Sequence, residues 1–377
     1  MADAIVENLF LVNAPAGSGK TTWIRKNVRK YLLQNPNDNV LCITYTNRAA
    51  EELGKDVDSN RVYFGTIHSF INDFIGSFFS HESILELYWE VYKNQIVERI
   101  ENISQNGNWA ESNMRYIEKY GGLTPEIVRS NITMISYNQA PFNSLYRGAL
   151  GHDDLISFTR LAVERFPVIK KKISDKYQVV FIDEYQDTSD LQEIFISYFK
   201  NNNRFMVGDI KQSIYRFRNA NPLIFKNKYD LYSNNISGMK IDLLKNFRSR
   251  SEVLDNINLL FDYVMDDFLG GADYIKSHRM VFGNTSYIEE GKTEANYNLE
   301  IYNYNEDSSY TKEEIEAFII ANDIKNKIEN NYQVFDKDNK ILKNITYSDI
   351  CIIMDRGNAF ETYKKIFESM GIPLSIY

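Results

Sequence analysis

Apolar residues in this chain fall into short unbroken runs, separated by polar turns and by stretches with a helical period. LFLVN (Leu9–Asn13), VLCITYT (Val40–Thr46), RVYFGT (Arg61–Thr66), YQVVFI (Tyr177–Ile182), RFMVGD (Arg204–Asp209) and MKIDLL (Met239–Leu244) read as strands. Most are apolar on both faces, the pattern of strands covered on both sides by helices. A glycine-rich turn follows the first run, and a helix is predicted from about Lys20. NRAAEELGK predicts a second helix directly after VLCITYT. Strand, loop, helix, strand is the opening of an α/β sheet. Each strand carries polar or charged residues at its carboxyl end, the edge where open α/β sheets bind ligands.

From His68 to about Lys172 the pattern changes. Long helical periods dominate, such as ESILELYWEVYKNQIVERIENI, and no strand-like run interrupts them. Polar breakers at SQNGNW and YGGLTP separate the predicted helices. The spacing predicts a helical insertion over residues 71–172 within a sheet domain made of residues 1–70 and 173–285. A new segment, 286–377, is expected to begin near Tyr287: strand NLEIYNYN, helix KEEIEAFIIANDIKNKI, strand DICIIM, helix FETYKKIFESM, and strand-like IPLSIY. With so few elements it reads as the beginning of a domain.

Composition adds little to this. Of 377 residues, 44% are apolar and 25% charged, which is ordinary for a folded chain. No run of about 18 apolar residues is present, so no membrane partner is expected. The N-terminus lacks a basic segment followed by a cleavage pattern, and a cytoplasmic location is expected. Cys42 and Cys351 both lie in apolar stretches and are predicted to be buried free thiols. The 4 histidines show no metal-ligand spacing. A net charge of −8 argues mildly against nucleic acid, yet a protein that grips and releases a strand needs only a local groove.

Chemistry enters with APAGSGKT, Ala14 to Thr21. It fits the phosphate-loop pattern with Ala14 in the first glycine slot, and it lies between a predicted strand and a predicted helix. Ala14, Pro15, Ala16, Gly17, Ser18 and Gly19 would form the loop. Gly17 and Gly19 allow backbone angles that turn N–H groups inward. The helix N-terminus adds positive potential, Lys20 reaches the β and γ phosphates, and the Thr21 hydroxyl meets Mg²⁺. Asp183 and Glu184 end the apolar run VVFI. One carboxylate can hold Mg²⁺, and the next can orient an attacking water as general base.

The full run IDEYQDTSDLQ (Ile182–Gln192), taken with the phosphate loop, resembles the UvrD/Rep group of superfamily 1 DNA helicases. TYTNRAAEEL, GTIHSF, VGDIKQSIYRFRNANP and LLKNFRSRSEVLDNIN match further motifs in the family's order, and HDDLISF is similar to the stretch that closes its helical insertion. GDIKQSIYRFR and NFRSRSEVLDNIN look more like the AddA and RecB helicase–nuclease subunits. The resemblance implies a RecA-like P-loop sheet domain, its helical insertion, and the beginning of a second RecA-like domain. It implies ATP and Mg²⁺ as cofactors, and single-stranded DNA or duplex/single-strand junctions as partner. If the AddA or RecB likeness holds, it also implies a second subunit. By resemblance Gln212 senses the γ-phosphate, Arg248 is one of two arginine fingers, and Phe247 stacks on adenine. Tyr215 and Phe217 face DNA bases, where the alternative is core packing. Tyr45, with Asn47 in the same block, either lines a base pocket or is structural. His68 is either a DNA contact or a satisfied structural histidine. Arg216 and Arg218 either contact phosphate or tie their motif to the acidic strand end.

There are departures from the family pattern. The upstream glutamine that reads adenine is not present, and Thr22 stands where an arginine often follows the phosphate-loop threonine. The later motifs, with the second arginine finger, are not found before Tyr377. The expectation is therefore a truncated ATP-dependent DNA translocase with weak activity of its own. The rivals are a stand-alone nucleotide-binding regulator and a DNA-binding scaffold.

Overall fold

A computed structural model of the chain describes residues 8–55, 57, 60–106, 111–137, 145–199, 203–284, 299–305, 309–336, 339 and 341–376. The predicted boundary near Tyr287 lies outside them. The chain divides into two compact units, residues 1–246 with 264–280, and residues 247–263 with 281–377.

The first unit is built on six parallel strands: β1 (Leu9–Asn13), β2 (Val40–Thr44), β3 (Val62–Thr66), β6 (Val179–Ile182), β7 (Asn203–Gly208) and β8 (Met239–Asp242). Their order across the sheet is β3-β2-β6-β7-β1-β8. β2 and β6 are buried at every residue, whereas β3 and β8 are largely part-exposed. That gradient explains why the inner strands read as continuous apolar runs. Alternate residues feed two cores. Leu9, Leu11, Ile43, Val180, Ile182 and Met206 face the helical side, while Val12, Cys42, Val179, Phe181 and Val207 pack with Ile24 and Val28 of helix α1 (Lys20–Gln34). Register sets Phe10 beside Phe205 and Phe205 beside Phe181. Their rings stack at 4.6 Å and 4.8 Å, a cross-strand aromatic ladder beneath the carboxyl edge.

The insertion is helical as predicted. Helix α4 (Glu82–Asn106) buries Ile84, Tyr88, Tyr92, Ile96, Ile100 and Ile103, one stripe at helical spacing. One feature differs from the expectation: β4 (Ser136–Tyr137) and β5 (Ala149–Leu150) pair in parallel, too briefly to leave a pattern in the sequence. Between β3 and the insertion stands α3 (Ile67–Phe74). The chain leaves the insertion through α7 (His152–Arg165) and α8 (Pro167–Lys176).

In the second unit, Ala317, Ala321 and Ile324 of helix Lys312–Glu329 cluster with Tyr363 and Phe367 of helix Phe360–Ser369 and with Ile372 beyond its end. Thr311 and Glu314 form a capping box at the first helix. The antiparallel hairpin of Gln333–Asp336 and Ile341–Asn344 was not predicted; its strands are short and carry Lys, Asn and Asp. The strands predicted at NLEIYNYN, DICIIM and IPLSIY form no ladder among the described residues. Cys42 is buried as expected, but Cys351 is exposed, because its apolar stretch forms no covered strand.

Candidate nucleotide site and the adjoining aromatic face

β1 ends at Asn13, and the loop Ala14–Gly19 turns the chain into α1. Ala14 donates its N–H to Gly208 O at 2.8 Å, which seats the loop between β1 and β7. Gly17 (φ 74°) and Gly19 (φ 82°) both occupy the left-handed region, so the predicted need for glycine is met at both positions. The N-terminus of α1 has no side-chain cap and no acidic residue in its first turn. Its free N–H groups and positive potential remain available to an anion. The buried Ser18 hydroxyl has no hydrogen-bond partner among the described residues. Thr21 is part-buried, and Thr22 is exposed in the same turn.

The acidic pair stands at the carboxyl end of β6, two strands from β1. Lys20 Nζ lies 2.5 Å from Glu184 Oε2, so loop and strand end converge as the sequence implied. Glu184 adopts φ 52°, a left-handed conformation that costs a non-glycine residue roughly 1–3 kcal/mol. Its backbone N–H bonds Asp183 Oδ1 at 3.0 Å. Burial, and then the adjoining Glu184 carboxylate, push Asp183 up to about 6. The same two causes, in the same order, push Asp187 up to about 7. Carboxylates crowded in this way are relieved by a nearby positive charge, while no group of three or more His, Cys, Asp or Glu among the described residues is arranged to hold a metal ion.

Three further residues organise this edge and were not singled out in the sequence. Gln186 is buried; its Nε2 donates to Glu184 Oε2 at 2.9 Å, and its Oε1 accepts the Asp209 N–H at 3.0 Å. Asp209 accepts from Lys211 Nζ at 2.7 Å and from Gln212 Nε2 at 2.9 Å. Gln212, expected at the γ-phosphate, is thus held on Asp209. Asn246 donates from Nδ2 to Ala16 O at 2.8 Å. The signal for Gln186 was a lone amide two residues beyond a strand-end acid. Phe247 and Arg248 are exposed and belong to the second unit.

The loop that follows β7 carries the predicted DNA contacts. Ser213 Oγ donates to Gln186 O at 3.1 Å, and Asn221 N–H donates to Thr188 O at 2.9 Å, so both ends of the loop are pinned to the acidic segment. Between them Phe217 is 76% exposed, which removes core packing as its role. Tyr215 is part-buried with its ring 5.7 Å from that of Phe217, and the Arg218 guanidinium sits 5.1 Å and 5.5 Å from the two rings. Such cation-flanked rings, tilted 54° to one another, are a surface on which bases can lie.

Tyr45 is part-buried and donates from its hydroxyl to Thr188 Oγ1 at 2.7 Å. Asn47 is exposed at the first turn of helix α2 (Asn47–Gly54). His68 lies in α3 with its ring 4.4 Å from that of His152, the first residue of α7, so GTIHSF and HDDLISF meet in space. Burial, then His152, lowers His68 to about 4.

The UvrD/REP helicase N-terminal domain family matches residues 2–233. AddA-type proteins, whose name describes an ATP-dependent helicase/nuclease subunit, are similar as well. The chain is 39% identical over 217 residues to that of Staphylococcus haemolyticus, covering 55% of this chain and 17% of the relative. It is 34% identical over 279 residues to that of Exiguobacterium sibiricum, covering 69% and 23%. It is 36% identical over 223 residues to that of Clostridium acetobutylicum, covering 54% and 18%. The matches therefore span about a fifth of the relatives' length. A phosphate loop facing a strand-end acidic pair, with this match over more than half the chain, shows that the chain belongs to the UvrD/REP helicase family, residues 2–233 corresponding to its N-terminal domain.

Proposed function

We propose that this protein is the ATP-hydrolysing, DNA-gripping part of a helicase–nuclease, which moves along single-stranded DNA in repair or recombination. The reading rests on one observation: the phosphate loop's Lys20, the acidic pair and the Tyr215–Phe217–Arg218 cluster converge on one sheet edge. ATP phosphates would lie on the loop N–H groups and Lys20. Thr21 and Asp183 offer the hard oxygens that Mg²⁺ takes, and Mg²⁺ held there would neutralise charge on the phosphate oxygens. Glu184 would take a proton from the attacking water, held in line by Gln186 Nε2. Gln212 would leave Asp209 to meet the γ-phosphate, and Arg248 would supply charge to the same group.

DNA bases would stack on Phe217 and Tyr215, with Arg218 beside the rings and Tyr45, Asn47 and His68 along the same course. The Gln186–Asp209 bond supports coupling between the two sites, since the same side chain touches Glu184 and holds Asp209, where the DNA-contact loop begins. The likeness to AddA-type proteins of bacteria supports a cytoplasmic location and a second protein chain as partner. No helix among the described residues is long and apolar enough to cross a membrane. The test is phosphate release by the full-length protein with and without single-stranded DNA. Stimulation by DNA, abolished in Lys20→Ala, is expected; turnover indifferent to DNA would overturn the reading.

A further inference from the structure

Asn246 is 2% exposed, and its side chain lies against the middle of the phosphate loop. Nδ2 donates to Ala16 O at 2.8 Å. A Cβ built on Gly17 would stand 2.5 Å from Asn246 Nδ2 and 2.7 Å from Cγ. Asn246 therefore fills the space a side chain at position 17 would need. Gly17 lacks a side chain for two reasons, its φ of 74° and this close approach. The loop's own backbone contributes a turn hydrogen bond, Ser18 N–H to Pro15 O at 3.0 Å, which leaves the Ala16–Gly17 peptide to be fixed from outside.

A peptide unit is planar and trans, so its C=O and N–H point in opposite directions. Beside a glycine such a unit can flip, because glycine accepts both signs of φ. A flip would present the Ala16 oxygen where the Gly17 N–H had been, and an oxygen repels phosphate. We infer that Asn246 is a positioning residue for the phosphate loop: by holding the Ala16 carbonyl it turns the Gly17 N–H toward the phosphates of a bound nucleotide. The inference rests on the proposed nucleotide site. It adds a residue 230 positions away from the loop carbonyl it holds, and one that precedes Phe247 and Arg248 directly in sequence.

The experiment titrates a fluorescent ATP analogue with Mg²⁺ into the full chain and into Asn246→Ala, Asn246→Asp, Gly17→Ala, Gly17→Ala/Asn246→Ala and Lys20→Ala. Losing one hydrogen bond predicts roughly three- to tenfold weaker binding for Asn246→Ala. Asn246→Asp keeps the shape but sets a carboxylate against the Ala16 oxygen, so its loss of binding should exceed that of Asn246→Ala, and because a buried unpaired carboxylate also lowers stability, affinities are compared below the unliganded melting temperature of each variant. Gly17→Ala should cost several-fold less in the Asn246→Ala background than in the wild type, because truncation opens the space for the added methyl; the strain of φ cancels in the cycle. If Lys20→Ala weakens binding while both Asn246 variants bind within twofold of wild type, the brace is refuted and the nucleotide site stands. If the wild type binds no nucleotide, or Lys20→Ala binds equally well, the site itself is refuted and the brace falls with it. Equal loss in Gly17→Ala on both backgrounds also refutes the brace, even if an Asn246 variant folds poorly.

Discussion

Lys20 Nζ and Glu184 Oε2 stand 2.5 Å apart, so the cation proposed to hold phosphate and the carboxylate proposed to activate water are each other's partner. A triphosphate bound as proposed would compete for Lys20 and in doing so free an oxygen of Glu184. Lys20→Ala removes a charge-assisted contact, worth roughly 1.5–3 kcal/mol. Binding of a fluorescent ATP analogue should weaken by about ten- to a hundredfold. Equal affinity for wild type and variant would show that the loop does not hold phosphate.

Glu184→Gln should separate binding from chemistry. The amide cannot take a proton, so turnover by the full-length protein should fall by roughly 10²–10⁴. Nucleotide affinity should hold or rise, because Lys20 no longer has a carboxylate to pair with. Single-turnover phosphate release beside an equilibrium titration measures both. A variant with near wild-type turnover would reassign the base.

Phe217→Ala should weaken single-stranded DNA binding by roughly tenfold, with little dependence on sequence, as stacking is worth about 1–3 kcal/mol per base. Because this ring is exposed, the melting temperature should stay within a degree or two of wild type. Unchanged DNA affinity in a folded variant would remove Phe217 from the proposed track.

The crowded carboxyls predict a pH signature. Asp183 at about 6 and Asp187 at about 7 lie above their ordinary value of 3.8, so the folded chain holds more protons than the unfolded one between these limits. The stability they contribute is fully present below 3.8 and is lost as pH rises through about 6 and 7. Glu184 is the second cause of both shifts, after burial. The melting temperature of Glu184→Gln minus that of wild type should therefore grow as pH rises from about 5 to about 8 without nucleotide. His68, lowered to about 4, opposes this by favouring the unfolded state as pH falls below about 6.5, but it is common to both proteins and cancels in the difference. A difference flat across that range would show that Glu184 does not crowd its neighbours.

The six-stranded sheet was legible because its inner strands are apolar on both faces, and a strand of that kind needs no partner to be recognised. VVFI and VLCIT are the clearest instances. The phosphate loop and acidic pair were legible because their chemistry depends on residues adjacent in sequence. Gln186 and Asn246 were not, because their roles are set by what lies opposite them: Asp209 N–H for one, Ala16 O for the other. The exposure of Phe217 was equally invisible, since an aromatic two residues from another reads the same in a core or on a surface. In the second unit, DICIIM and Gln333–Asp336 show the complementary failure. An apolar run predicted a strand where no ladder forms, and polar residues masked a hairpin held by its backbone.

The left-handed backbone of Glu184 has a consequence for anyone who evolves this protein in the laboratory. Glycine occupies that conformation without strain, and asparagine more readily than glutamate. Either replacement would also relieve the repulsion felt by Asp183 and Asp187. The same exchanges remove the partner of Lys20 and the acceptor of Gln186 Nε2, so selection for heat resistance alone would reward them only where relief of strain and repulsion outweighs those two bonds, and a hardier descendant of that kind would have discarded the proposed base.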